Sequence, residues 1–128
     1  MNKQVVKVLN EQLWSIGTYG AEPNVVPVAF KRVLEDGRLA VGDVFLETTL
    51  ENIQRNGKIA ISAFDAQTME GYQVKGTAEY VTEGAVVDAF KQQVSAMFHG
   101  AATAKGALLI TPEQVIVTTP GAENKKRL

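Results

Sequence analysis

The chain has 128 residues, of which 45% are hydrophobic, which is enough for one domain over residues 1–128 with a single apolar core. Lysine and arginine number 13 against 14 acidic residues, and a net charge of −1 gives no basic field for nucleic acid or an anionic membrane. The absence of cysteine excludes disulfides, thiolate metal sites and cysteine nucleophiles.

The N-terminal segment is predicted to be a short helix. Its apolar residues recur at helical spacing: Val5, Val6, Leu9 and Leu13. The helix is expected over residues 3–11, with Asn2 as a possible cap. This pattern lacks the continuous apolar core of a signal peptide, and no run in the chain approaches the ~20 residues that span a bilayer. We therefore expect a cytoplasmic protein without membrane association.

The next segments are predicted to be strands. Trp14–Thr18 reads as one strand, and the β-branched run Asn24–Leu34 reads as a second, long one. Pro27 lies inside this second strand, which indicates a sheet edge or a bulge. The turn Glu35–Gly37 then leads into Arg38–Val41, a pattern typical of antiparallel pairing.

A short amphipathic helix is predicted at about residues 49–56, after the chain breaks at Gly42 and Asp43. Thr48 and Glu51 have the spacing of a capping box at its start. Unpaired amides and the positive end of the dipole allow such a start to hold a phosphate. An ordinary capped helix without a ligand remains the alternative.

The second half of the chain is predicted to contain two strands, a helix, a loop and a hairpin. In order these are Lys58–Phe64, Gly71–Val81, Ala85–Phe98, Gly100–Gly106, and the strands Ala107–Ile110 and Val115–Thr118 joined by a turn at Thr111–Gln114. The total is about seven strands and three helices without βαβ alternation. We therefore expect a mainly β (or α+β) fold built on an antiparallel barrel of six to seven strands.

Familiar catalytic patterns are absent from the sequence. The single histidine, His99, is expected to be an exposed residue at the C-terminal end of a helix. No HExxH, GxSxG, Walker or GxGxxG motif occurs, and no metal site is predicted. The catalytic residues are therefore unassigned, and any chemistry would be carried by a bound cofactor.

Four segments together resemble a known family. They are Asn24–Phe30 (NVVPVAF), Thr48–Asn52 (TTLEN), Gly71–Glu79 (GYQVKGTAE) and Pro120–Glu123 (PGAE). In this order they are similar to the small FMN-binding proteins related to pyridoxamine 5′-phosphate oxidase. The resemblance covers nearly the whole chain and implies a homodimeric split β-barrel with FMN at the subunit interface. It does not fix an activity, because the family includes oxidases, reductases, electron-transfer proteins and binders of other cofactors.

The resemblance implies a set of cofactor-binding residues. They are Pro27 and Val28 beside the flavin ring, Gly42, Asp43, Val44 and Phe45 in a turn toward it, Thr48, Thr49 and Asn52 at the phosphate, and Gln73 on a nearby strand. Many relatives carry a cation in the pair that Thr48 and Thr49 occupy, and that cation is missing here. Purely structural roles remain the alternative to cofactor binding. Pro27 would then mark a strand at the edge of the sheet, Gly42 would form a turn, and Gln73 would be a surface residue of its strand.

The resemblance also bears on the reaction. The Arg-x-His motif of full-length pyridoxamine 5′-phosphate oxidases is not found, so we do not expect that oxidation. A flavin-dependent reductase or electron-transfer protein is the favoured interpretation. The alternatives are a dimeric barrel that binds a deazaflavin or haem, and a non-enzymatic barrel with an empty pocket. The basic segment Lys125–Arg127 is either a solvated tail or a source of the missing positive charge.

Overall fold

The computed structural model describes residues 1–128 and contains three helices and seven strands. In chain order these are α1 (Lys3–Glu11), β1 (Trp14–Tyr19), β2 (Pro23–Val28), β3 (Lys31–Val33), β4 (Leu39–Asp43), α2 (Thr48–Asn56), β5 (Lys58–Phe64), β6 (Gly71–Val81), α3 (Ala85–Phe98) and β7 (Gly106–Val117). The mainly β, antiparallel fold class predicted from the sequence is confirmed.

The strands form one antiparallel sheet in the order β2-β1-β5-β6-β7-β4-β3. Its two edge strands, β2 and β3, are consecutive in the chain and are linked only by Ala29 and Phe30. This short link holds the two edges of the sheet beside each other, so the sheet curls into a split barrel. We call the gap between β2 and β3 the split.

The prediction of one long strand over Asn24–Leu34 is wrong, because the chain leaves the sheet at the split. The Phe30 carbonyl oxygen accepts a hydrogen bond of 2.8 Å from the Gly42 amide, which extends the pairing of β3 with β4 by one residue. Pro27 lies on edge strand β2, opposite Ser15 of β1, as its missing N–H requires.

The predicted C-terminal hairpin is also wrong, because β7 is a single strand of 12 residues. Pro112 belongs to the turn predicted at Thr111–Gln114. It instead pairs with Gly76 at a register shift between β6 and β7, where a residue without an N–H is tolerated. The strand count of seven agrees with the structure because one predicted strand divides and two others merge.

The core has two parts. The larger part fills the barrel under α1 and includes the fully buried Trp14, whose Nε1 donates to the Leu9 carbonyl oxygen at 2.8 Å. The smaller part lies under α3 and centres on Phe90 and Val94. Asn2 caps α1 as predicted, by accepting from the Val5 amide at 2.9 Å. None of the three helices is long and apolar enough to cross a membrane.

Candidate functional site

A cavity of about 470 Å³ lies at the split, between β2 and the start of α2. We call it the β2–α2 cavity. It is lined by residues 26–30 and 44–49 together with Asn24 and Gly42. Seven of the ten predicted cofactor-binding residues line it: Pro27, Val28, Gly42, Val44, Phe45, Thr48 and Thr49. The other three, Asp43, Asn52 and Gln73, do not line this cavity.

The mouth of the cavity is bordered by aromatic side chains. Phe45 lines it with 76% of its surface exposed, and its ring meets Phe98 edge-on at a centroid distance of 6.2 Å. Phe98 also contacts Phe30, another lining residue, at 6.1 Å. Helix α3 therefore supports this wall through Phe98. The sequence analysis placed Phe98 at the end of a predicted helix and gave it no role at the site.

Gly42 is required by packing against α3. A β-carbon at this position would lie 2.9 Å from the Phe90 ring and 3.3 Å from the Phe30 Cβ. The close approach that the resemblance implies is to a flavin ring and stays a prediction, whereas within the protein the close neighbours of Gly42 are these two phenylalanines. Gly42 thus keeps β4 close to α3 and also lines the cavity.

Asp43 supports the cavity wall from behind. It is 1% exposed, and its carboxylate accepts hydrogen bonds from the Leu46 amide at 3.1 Å and the Tyr80 hydroxyl at 2.6 Å. These bonds fix the segment that carries Val44 and Phe45. Burial and the hydrogen bond to Asp43 raise the pKa of Tyr80 to about 12, so the phenol remains a donor at neutral pH.

The capping box predicted at the start of α2 is wrong. The cap residue is Glu47, whose side chain makes no capping hydrogen bond, and Thr48 is already the first helical residue. Because Thr48 has a helical backbone, its side chain cannot accept a hydrogen bond from the N3 amide as the side chain of a cap residue does. The first amides of α2 consequently have no side-chain acceptor. Thr48 itself is exposed and lines the cavity.

Thr49 is a buried hydroxyl at the wall of the cavity. It is 1% exposed, and its oxygen accepts a hydrogen bond of 3.0 Å from the Asn24 side-chain amide. Because Thr49 makes no side-chain hydrogen bond as a donor, its own hydrogen is available to a ligand oxygen. Asn24, which the sequence analysis did not single out, thus orients this hydroxyl.

Asn52 and Gln73 lie elsewhere. Asn52 is 5% exposed and donates to the Thr18 hydroxyl at 3.1 Å, so it fastens α2 to β1. Gln73 shares a row of the sheet with Ser62, Ser15 and Pro27. Three strand spacings separate it from Pro27, or roughly 14 Å. Gln73 does not line the β2–α2 cavity of its own protomer.

The basic C-terminal segment is paired with the sheet and does not form a solvated tail. The Val117 amide donates to the Lys126 carbonyl oxygen at 2.8 Å, and Arg127 donates to the Gln114 side chain at 2.8 Å. None of Lys125–Arg127 lines the β2–α2 cavity, whose lining contains no lysine or arginine. Glu47 is its one charged lining residue.

The other candidate groups have structural roles. His99 is exposed and ends α3 in a left-handed conformation, with φ of 53°, and its amide donates to the Ser95 carbonyl oxygen. No three His, Cys, Asp or Glu side chains are arranged to hold a metal ion.

Comparison with known proteins decides the family. The family model for pyridoxamine 5′-phosphate oxidase matches residues 1–123. The chain belongs to the pyridoxamine 5′-phosphate oxidase family. Within curated proteins, it is 36% identical over 88 residues to an uncharacterized protein from Methanocaldococcus jannaschii. That match covers 66% of this chain and 58% of the relative, so the chain spans less than two thirds of the relative's length.

Solved structures place the chain beside other members of the fold. HupZ from Group A Streptococcus has a TM-score of 0.83 at 29% identity, covering 96% of this chain and 98% of its own. An FMN-binding protein from Syntrophomonas wolfei has a TM-score of 0.80 at 13% identity, and the match covers 94% of this chain and 87% of that protein. An F420 reductase has a TM-score of 0.68 at 16% identity, covering 90% and 98%. The last two similarities concern the fold alone.

Proposed function

We propose that this family member is a cytoplasmic flavoprotein that binds FMN in the β2–α2 cavity and serves a reduction or an electron transfer. The observation that carries the proposal is the convergence of two separated chain segments on one cavity. The family resemblance connects residues of both segments with the cofactor, namely Pro27 and Val28 in the first and Gly42, Val44, Phe45, Thr48 and Thr49 in the second. Membership of the pyridoxamine 5′-phosphate oxidase family supports the choice of a flavin.

The lining residues fit both parts of this cofactor. A volume of about 470 Å³ lies within the range of small-molecule sites. Val28 and Pro27 on one side and Val44 and Phe45 on the other offer apolar surface to the planar ring. At the other end, the first amides of α2 and the Thr49 hydroxyl can donate to phosphate or ribityl oxygens. When bound, the flavin supplies hydride or single-electron transfer, and the protein binds and orients it.

A homodimer with the cofactor at the interface is part of the proposal. Gln73 does not line the cavity of its own protomer, so in this proposal the role implied by the family resemblance falls to the Gln73 of a second copy. A stable interface of this kind should bury more than about 1,000 Å² in total. Sedimentation at micromolar concentration is expected to give twice the chain mass of 13.8 kDa. A monomer would remove both the dimer and the role of Gln73.

The visible absorption spectrum of freshly purified, unsupplemented protein tests the flavin directly. We expect the bands of oxidised flavin, and we expect added FMN to lose fluorescence on binding if flavin escapes during purification. Pocket variants provide the control: Phe45→Ala, at an exposed lining residue, should weaken binding, while a change at exposed Glu113, outside the cavity, should not. A colourless protein that does not quench FMN fluorescence would contradict the proposal.

A deazaflavin is the second candidate, because the F420 reductase has the same fold. The fold therefore does not choose between the two ring systems. The same spectrum discriminates between them, because deazaflavin and flavin absorb at different wavelengths. A haem spectrum or an empty pocket would support the remaining alternatives.

A further inference from the structure

The charge at the start of α2 is opposite to that expected for a phosphate site. Glu47 is the cap residue of α2 and lines the cavity, and Glu51 lies in the first turn of the same helix. Both residues are exposed, and neither takes part in a salt bridge. The cavity lining contains no lysine or arginine to compensate for them.

The helix dipole does not offset these two carboxylates. The N-terminus of a helix carries roughly half a positive charge, whereas Glu47 and Glu51 contribute two negative charges. A phosphate brought to this helix start therefore meets net repulsion, weakened by solvent because the side chains are exposed. The remaining donors are neutral, namely the first amides of α2 and the Thr49 hydroxyl.

Neutral donors of this kind do not require a phosphate. An amide or a hydroxyl can donate to the hydroxyl oxygens of a ribityl chain as well as to phosphate oxygens. The apolar walls, in contrast, act only on the ring. Binding energy in the β2–α2 cavity thus comes from features that riboflavin and FMN share.

We propose that Glu47 and Glu51 set the ligand charge of this cavity, so that it selects a flavin by its ring and gains little or nothing from the phosphate. This inference rests on the proposed function, namely that a flavin ring occupies the cavity. The ligand class is accordingly a planar ring with a neutral polyhydroxyl chain, for which riboflavin is the probe. Glu47 and Glu51 are specificity-determining residues and take no part in a chemical step.

Titrating riboflavin and FMN into the full chain, followed by flavin fluorescence quenching at low and high salt, tests the inference. For the wild type, we expect the two dissociation constants to agree within roughly threefold. In Glu47→Gln and in the double variant Glu47→Gln/Glu51→Gln, FMN should bind severalfold more tightly at low salt, and riboflavin should be unaffected. Glu113→Gln is the matched control, because Glu113 is exposed and lies outside this cavity.

The possible failures are distinguishable. A wild-type preference for FMN of more than about tenfold would overturn the inference while leaving the flavoprotein proposal intact, because a cation from a partner subunit would then hold the phosphate. Glutamine variants that leave FMN affinity unchanged at low salt would remove the role of Glu47 and Glu51. If neither flavin binds, the proposed function fails and the inference fails with it.

Discussion

Asp43 shows how far the role of a single residue can be inferred from the sequence. Its place next to Gly42, in a turn implied to approach the flavin, suggested a ligand contact. The structure instead buries it against Tyr80, 37 residues away, where its carboxylate supports the cavity wall. Thr49, which does line the cavity, was predictable because it belongs to a segment that resembles the family. A partner that is distant in sequence leaves no local signal.

Replacing Tyr80 by phenylalanine should loosen this wall. The change removes the 2.6 Å hydrogen bond from the Tyr80 hydroxyl to Asp43. The buried Asp43 carboxylate then keeps one hydrogen bond, which it accepts from the backbone amide of Leu46. We expect the free energy of unfolding to fall by about 1.5–3 kcal/mol and flavin affinity to fall as well. Tyr72→Phe is a matched control, since its hydroxyl donates to Glu70 at 2.6 Å away from the cavity. Both variants should lose stability, but only Tyr80→Phe should bind flavin less tightly.

The burial of the Tyr80 phenol, together with its hydrogen bond to Asp43, predicts a dependence of stability on alkaline pH. The pKa of Tyr80 is raised from 10.0 to about 12, which means that folding favours the protonated phenol. Its contribution to stability is therefore complete below pH 10.0 and is lost as the pH rises through about 12. Urea unfolding of wild type and Tyr80→Phe across this range should show the stability difference shrinking. A difference that stays constant to pH 12 would contradict this.

Two threonines test the placement of the phosphate. Thr48→Lys restores the cation found in many relatives and should strengthen FMN binding by on the order of 1 kcal/mol, less at high salt. Because Glu47 and not Thr48 caps α2, no loss of a cap is expected. Thr49→Ala removes the hydroxyl and should weaken FMN binding. FMN titrations at two ionic strengths measure both effects, and unchanged affinity in both variants would mean that the phosphate lies elsewhere.

At the scale of elements, periodic segments with clear boundaries were predicted correctly. The bounds of α1, β5, β6 and α3 agree with the sequence analysis, because their apolar spacing ends at turn residues. The division at the split and the continuous β7 were missed. Pro27 and Pro112 mark positions without an amide donor, but a proline does not tell whether the chain turns, bulges or changes partner strand.

Helix α3 should influence flavin binding through Phe98, without lining the cavity itself. Phe98→Ala removes the ring against which Phe45 is held at 6.2 Å. We expect weaker flavin binding and an altered visible circular dichroism of the bound ring, with partial recovery in Phe98→Leu. Met97→Ala is the control, because Met97 precedes Phe98 and is 58% exposed. A dichroism spectrum identical to wild type in Phe98→Ala would show that Phe45 does not depend on α3.

For the whole molecule, the sequence predicted the architecture but not its closure. Alternating strands and short connections indicate an antiparallel barrel, whereas the order of strands depends on contacts between distant segments. Edge strands β2 and β3 meet through a two-residue link, and this link creates the cavity. The functional site is therefore a consequence of where the barrel is split, which local periodicity does not report.

The C-terminal segment closes a second open edge. β4 pairs with β7 only as far as Ile110, and residues 125–128 cover the edge of β7 beyond it. The amides of Lys125 and Leu128 donate to the carbonyl oxygens of Val117 and Val115, each at 2.8 Å. The Val117 amide in turn donates to the Lys126 carbonyl oxygen, also at 2.8 Å. An uncovered strand edge can pair with the edge of another chain, and in this structure the C-terminal segment occupies that edge of β7.

Deleting residues 124–128 should therefore destabilise the protein without changing its preference between flavins. Three backbone hydrogen bonds to β7 are lost, which should lower the free energy of unfolding by about 2–4 kcal/mol. We also expect association beyond the proposed dimer, measurable by light scattering. The triple variant Lys125→Gln/Lys126→Gln/Arg127→Gln is the control, since it keeps the backbone pairing and removes the charge. If this charge variant weakened the binding of FMN but not that of riboflavin, the basic side chains would contact the phosphate. The segment would then have a role in cofactor binding in addition to covering the strand edge.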